Sequence, residues 1–223
     1  MRTKTLLLAA AISAAGLASS MAQIFSANVV GYYNIATPTN GLYLIANQLD
    51  LDGTGANNTL QTTIGTNVPA NTHVYAHNNV NYVNANFLGG NWVGSTATVN
   101  SKLQPGGGVF FERITGGPTS ITLVGNVLQG TLVNTPFVGR SITSSKVPQA
   151  GAVDSVLGLS LPNVGTPQGI NQFRNWVGGA SYNNKPFAGG IWLGGAPSIS
   201  IGEAFWLNAA AGATWTRNFT VGP

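Results

Sequence analysis

A chain of 223 residues with nine basic and five acidic side chains and no cysteine lacks the means for several common tasks. Arg2 and Lys4 belong to a leader, and Arg113, Arg140, Arg174 and Lys185 are scattered, so no cationic cluster is available to neutralise a run of phosphates. Nucleic acid and anionic membranes are therefore poor partners, and stability must come from burial and hydrogen bonds rather than disulfides.

Arg2 and Lys4 form a basic start, Leu6 to Leu17 is a short apolar run, and Ser20-Met21-Ala22 offers small residues to a signal peptidase. Residues 1–22 thus read as a signal peptide cleaved before Gln23. The run is shorter than the roughly 20 residues of a membrane-spanning helix, and no second candidate follows it. An exported protein is expected, in the periplasm, at the cell surface or outside the cell. Abundant Gly, Asn, Thr and Ser could suggest disorder, yet 43% of the residues are hydrophobic, including many β-branched and aromatic ones that disordered chains lack.

From Asn28 onward the patterned segments are short and end at Gly, Pro or Asn-Gly, which predicts strands. They are Asn28 to Ile35, Leu42 to Ala46 after the Asn40-Gly41 turn, Thr72 to Ala76, Val109 to Ile114 and Ser120 to Val124. A second series follows: Arg140 to Thr143, Ile170 to Phe173, Ala204 to Leu207, and Thr214 to Val221, where Trp215, Arg217, Phe219 and Val221 share one face. Short helices are expected at Asn58 to Ile64 and Ala152 to Leu159.

One sentence occurs twice. Tyr82 to Gly94 and Tyr182 to Gly194 both read Y-x-N-x-x-F-x-G-G-x-W-aliphatic-G, with seven identities in thirteen positions. The chain is therefore read as two copies of one unit, residues 23–126 and 127–223. Its paired glycines are expected at a turn with positive φ, and its Tyr, Phe and Trp in the core beneath. Matching the halves sets Phe173 against Tyr75 and Glu203 against Gly108. Asn126 to Val133 alternates and is expected to be a single crossing strand, with the halves packed tightly and a shared sheet as one form of that packing. The expected fold is all-β: two tandem sandwich- or barrel-like repeats with at most minor helix.

Candidate chemistry is sparse. His73 and His77 alternate with Tyr75 on one strand face, about 13 Å apart, too far for a shared metal. Gly139-Arg140-Ser141 and Gly158-Leu159-Ser160 lack the closing glycine of a nucleophile elbow. Glu112, Glu203 and Asp154 are the carboxylates from which a hydrolase site would be built, though five acidic residues in all favour a non-enzyme. In Asp50 to Asn58, the oxygen side chains of Asp50, Asp52, Thr54 and Asn58 and a glycine at loop position six resemble a calcium loop. Gln61 at position twelve cannot supply the charged clamp, and a turn capping its own backbone accounts for the same residues. Gln104-Pro105 and Gly106 to Gly108 lead into a strand and read as a turn, not a phosphate cradle. Of the five tryptophans, Trp176 alone is assigned to a loop without counterpart in the first half, which makes it the candidate ligand platform.

Ser26 to Tyr32, Leu44 to Leu49, Val147 to Gly151 and Trp215 to Val221 together resemble a group of uncharacterised secreted β-rich proteins of Verrucomicrobia-type bacteria. That resemblance implies export and a two-repeat unit, and brings no catalytic or binding residues with it. The expected function is that of a non-enzymatic protein of a surface layer, matrix or filament, self-assembling through the strand around Asn28 to Ile35. An extracellular carbohydrate-binding module is the alternative, with a glycoside-active hydrolase third.

Overall fold

The computed structural model describes residues 29–134, 137–161, 171–178, 181–213 and 215–222. The expected leader and Ile170 lie outside these residues. The first half contains β1 (Val29–Ala36), β2 (Gly41–Ile45), helix α1 (Leu60–Thr63), β3 (His73–His77), β4 (Tyr82–Leu88), β5 (Asn91–Gly94), helix α2 (Thr96–Lys102), β6 (Val109–Arg113) and β7 (Ser120–Val127). The second contains β8 (Gly130–Val133), β9 (Phe137–Thr143), β10 (Gly151–Ala152), β11 (Asn171–Gly178), β12 (Ser181–Ala188), β13 (Ile191–Trp192), β14 (Ser198–Ile199), β15 (Phe205–Ala213) and β16 (Thr216–Phe219).

The protein is all-β with minor helix, as its sequence predicts, and neither half closes into a barrel. Its two five-stranded antiparallel sheets have the same topology: β2-β6-β3-β4-β5 in the first half and β9-β15-β11-β12-β13 in the second. Each half also carries a two-stranded ribbon, β1-β7 or β8-β16. The stretch from Asn126 to Val133 is thus not one crossing strand. It ends β7, turns, and begins β8 in the other ribbon.

The repeated sentence forms the hairpins β4-β5 and β12-β13. Gly89 and Gly90 have φ of 58° and 83°, and Gly189 and Gly190 have φ of 61° and 82°, values that side chains beyond glycine rarely adopt. Phe87 lies against Trp92 at 5.3 Å and Phe187 against Trp192 at 5.0 Å between ring centroids. Tyr82 and Tyr182 depart from expectation. Each lies five positions before its phenylalanine, an odd step, so strand alternation turns it to the opposite face, away from the core beneath the turn.

Each half buries one sheet face in its own core. In the first, Val74, Val99, Leu103 and Phe111 meet Tyr33, Ile121 and Leu123 of the β1-β7 ribbon. Tyr33 fixes that ribbon, donating from its hydroxyl to the Ala46 carbonyl at 2.9 Å and accepting from the Gln48 amide at 2.8 Å. In the second, Phe173, Phe205 and Leu207 pack with Leu157, Trp192, Ile199 and Trp215. Val99 on α2 and Ile199 on β14 fill related places from different secondary structure. Pro197 removes a helical N–H just before Ile199, and α2 carries no helical periodicity in its sequence. The helix expected over Ala152 to Leu159 is a set of turns, with Val156 and Gly158 amides donating to the Ala152 and Asp154 carbonyls.

A third core joins the halves through the other sheet faces. It contains Leu44, Ala46 and Phe110 from one half and Ile142, Ala204 and Trp206 from the other. Since Phe110 and Trp206 face this seam while Val109, Phe111, Phe205 and Leu207 face inward, Phe110 corresponds to Trp206 and Gly108 to Ala204. By the same test, Phe173 corresponds to Val74. Matching the halves by sequence is therefore one residue out in these strands, which exchanges the faces of every side chain.

The seam is reciprocal. The edge of β2 is covered where the Ala46 amide donates to the Gly202 carbonyl at 2.8 Å, and the edge of β9 where the Ser144 amide donates to Gly106 at 3.1 Å. Ala46 corresponds to Ser144 and Gly106 to Gly202, so each half caps the other with the same segment. Gly106 and Gly202 have φ of 98° and 78°, which lets the chain turn from that cap into β6 or β15. The sheets remain separate, linked by the isolated bridge Ile45–Glu203.

A methyl group on Gly108 would lie 2.4 Å from Ala204 Cβ and 2.7 Å from Ile142 Cγ2. Gly108→Ala is expected to cost ~1–3 kcal/mol, read as a lower urea midpoint. Adding Ala204→Gly, which removes the facing methyl, is expected to recover part of the loss. A Gly108→Ala protein as stable as its parent would contradict this close approach.

Candidate functional site: an aromatic cleft on the seam

Alternation along β3, β4, β11 and β12 brings a set of rings to the seam. Trp176 stands 5.0 Å from Tyr182 of its own half and 5.3 Å from Phe110 of the other. His77 stands 5.3 Å from Tyr82 of its own half and 4.7 Å from Trp206 of the other. These are two versions of one arrangement, because β3 and β11 place His77 and Trp176 at matching positions. Trp176 is thus on β11 with a counterpart, not in an unmatched loop. Its indole N–H donates to the Leu42 carbonyl at 2.8 Å, tying the halves together while its ring helps to wall a cavity.

That cavity has a volume of about 320 Å³ and is lined by Leu42, Tyr75, Tyr82, Phe110, Trp176 and Tyr182. Of its six lining residues, Trp176 alone is a sequence candidate, and Tyr75 is known from the sequence only as the residue between two histidines. Burial raises the Tyr82 hydroxyl to about 12, and the neighbouring Tyr182 hydroxyl, hydrogen-bonded to it, adds to the shift. Equivalent tyrosines therefore meet where the halves meet. Leu42 and Tyr75 correspond to Arg140 and Arg174 in the second half, so the related position there is cationic instead of apolar. Burial, with Lys102 and Arg140 beyond, lowers the His77 pKa and favours a neutral imidazole.

A polar chain borders the cleft. The Tyr75 hydroxyl donates to Glu112 Oε2 at 2.9 Å and lies 3.0 Å from His73 Nδ1. Since the phenol proton points to the carboxylate, His73 Nδ1 is the donor to the phenol oxygen. Burial, followed by the Glu112 hydrogen bond and charge, raises Tyr75 to about 12. The chain holds the Tyr75 ring at the cleft and leaves Glu112 Oε1 as an acceptor. Asn84 and Asn86 share the Tyr82 face of β4, and Asn184 shares the Tyr182 face of β12.

The remaining candidates lie in turns. Asp50, Asp52, Thr54 and Asn58 do come together in one loop, where every carboxylate oxygen meets a local donor. Asp50 accepts from the Gly55 amide at 2.9 Å and from Asn58 Nδ2 at 3.1 Å. Asp52 accepts from the Thr54 amide and hydroxyl at 3.0 and 2.7 Å, and from Asn57. Asn58 is buried and also donates to Gln104 at 2.9 Å. Glu203 accepts from the Ser200 amide at 2.7 Å and Asp154 from the Ser155 amide at 2.5 Å, so neither shares the hydrogen bonds of Glu112 and His73. Among the described residues, no three His, Asp or Glu side chains gather as a metal-binding group, and no helix is long and apolar enough to cross a membrane.

Fold and site together define a duplicated antiparallel β protein with an aromatic cleft between its halves. Compared with known proteins, the chain matches no family model, no curated protein and no solved structure.

Tyr75 and Tyr82 titrate at about 12 in the folded protein, against about 10 for an unperturbed tyrosine. The folded state holds these protons more tightly, so their contribution to stability is complete below about pH 10 and is lost as pH rises through about 12. Tyr75→Phe is expected to reduce this alkaline loss, followed as melting temperature against pH. The Asp52 carboxyl is held below its ordinary value, chiefly by the Thr54 hydroxyl. Its contribution is present above the unfolded pKa and lost as pH falls through the folded value, and Asp52→Asn is expected to flatten that acid limb.

Proposed function

We propose that the protein is an exported, non-enzymatic carbohydrate-binding module whose site is the cleft between its repeats. The observation that carries this reading is the cleft's lining of one indole, one phenyl and three phenol rings with a single aliphatic side chain. Ring faces of this kind pack against the C–H faces of a sugar, while phenol hydroxyls and amides take its hydroxyls. Asn84, Asn86, Asn184 and Glu112 supply such groups on the flanking sheet faces. A neutral, hydroxyl-rich ligand also suits a chain with so few charges. The leader read from residues 1–22 would place the module where polysaccharides occur.

Binding is expected on a glycan array and on insoluble polysaccharides, with saturation at a single site per chain. Tyr182→Ala and Trp176→Ala are each expected to weaken it at least tenfold, equivalent to about 1.4 kcal/mol. Both variants are compared at unchanged near-ultraviolet circular dichroism, since Trp176 also ties the halves through Leu42 and Tyr182 through Tyr82. A folded parent protein that retains no glycan, or a Tyr182→Ala protein that binds as well as its parent, would overturn the reading. The structural reading, assembly into a layer or matrix, rests on a separate surface, the β1-β7 ribbon.

A further inference from the structure

The β1-β7 ribbon differs from the β2 and β9 edges of the main sheets in how its edge is left. Its register runs without a shift from Val29–Val127 to Ala36–Ser120. The Thr37 amide donates to the Thr119 carbonyl at 2.8 Å, which marks these opposed residues as a hydrogen-bonded pair. Since such pairs alternate along an antiparallel ladder, the backbone groups of Val30, Tyr32, Asn34 and Ala36 point away from β7. No backbone hydrogen bond among the described residues uses them. On β7 the outward groups of Asn126 are occupied by Asp50, so β1 is the more open edge.

The same strand exposes apolar side chains. Val30 and Tyr32 are 68% and 76% exposed, and Val124, opposite Tyr32, is 53% exposed. Neither β1 nor β7 contains a charged residue or a proline. The usual protections of an edge strand are an inward charge, a bulge, a proline or a covering segment, and β1 has none of them among the described residues. The edges of β2 and β9, by contrast, are each covered by the other half of the chain.

We infer that β1 is an assembly edge whose partner is β1 of a second copy of this chain, paired antiparallel about a two-fold axis. The result is a continuous four-stranded sheet, β7-β1-β1-β7, with Val30 and Tyr32 of both copies forming one apolar strip. The uncharged composition specifies a like partner, because two copies meet without charge repulsion and neither offers a charge for an oppositely charged protein to recognise. A two-fold pairing is self-complementary and closes at the dimer. The chain uses the same principle internally, where equivalent edges are covered reciprocally across the seam.

The test is sedimentation equilibrium on the protein purified after export, over a wide concentration range, with two variants. Tyr32→Pro removes an N–H that points away from β7 and so leaves the internal ladder intact; Val30→Lys adds a charge to the strip. The expected result is a concentration-dependent dimer for the parent and at least a tenfold weaker dimer for both variants, with unchanged near-ultraviolet circular dichroism. In a separate arm, Tyr32→Cys is expected to form a disulfide-linked dimer under mild oxidant, while Thr131→Cys on the β8-β16 ribbon stays monomeric. A parent that remains monomeric throughout, or a dimer that persists undiminished in folded Val30→Lys protein, overturns the inference. If Tyr32→Pro fails to fold, Val30→Lys and the cysteine pair still decide it.

Discussion

The structure depends on an exchange of backbone between its halves. β2 and β9 are edge strands, and an edge strand left open is a template for unwanted pairing. Here the segment that precedes β6 closes β9, and the segment that precedes β15 closes β2, through the amides of Ser144 and Ala46. Both caps use a glycine at positive φ, so one local conformation serves two equivalent closures. Burial then reinforces what the hydrogen bonds position: Phe110 and Trp206 enter a common core, and each large apolar side chain buried there contributes roughly 1.5–3 kcal/mol. Each half already has its own core, and the seam fixes how the two cores face one another.

A reciprocal seam also presents its ring contacts twice, in two chemical versions. One version sets His77 against Trp206 and the other Trp176 against Phe110. Around the second, Leu42 and Tyr75 give an apolar wall; at the related positions of the first, Arg140 and Arg174 give a cationic one. The duplication thus supplies the frame, and a handful of substitutions make one of two related places a ring-lined cavity. Tyr82 and Tyr182, retained in both copies, meet through their hydroxyls at the junction.

The sequence disclosed the elements more readily than their faces. The Gly89-Gly90 and Gly189-Gly190 turns were legible because glycine pairs have a specific conformational use, and the strands because their apolar residues alternate. The seam was not legible, since it depends on parity. Setting Phe173 against Tyr75 instead of Val74 is an error of one position, yet it sends a core residue to the seam. The repeated motif groups Tyr82 with Phe87 as core, although a step of five positions along a strand places them on opposite faces. Trp176 looked unmatched because its counterpart is a histidine, which shares its position and ring contacts but not its residue type. Helix α2 escaped because Thr, Asn and Ser are weak helix formers, and Val99 is its sole buried residue. The Asp50 to Asn58 loop was legible as a place where carboxylates and amides converge, since Asx residues between glycines bond their own backbone.

Charge is the last element of the design, and it is directed inward. All five acidic side chains accept hydrogen bonds from nearby protein donors: Asp50 and Asp52 in their loop, Glu112 from Tyr75, Asp154 from Ser155 and Glu203 from Ser200. Four of the five hold turns or loops in shape, and the fifth orients a ring of the cleft. None is left over to form an acidic patch, and the cations that do approach one another are few, with Lys102 and Arg140 both acting on His77. Long-range electrostatic steering is therefore weak for this surface. What the surface offers at short range is ring faces, hydroxyls and amides in the cleft and, among the described residues, open backbone groups along β1.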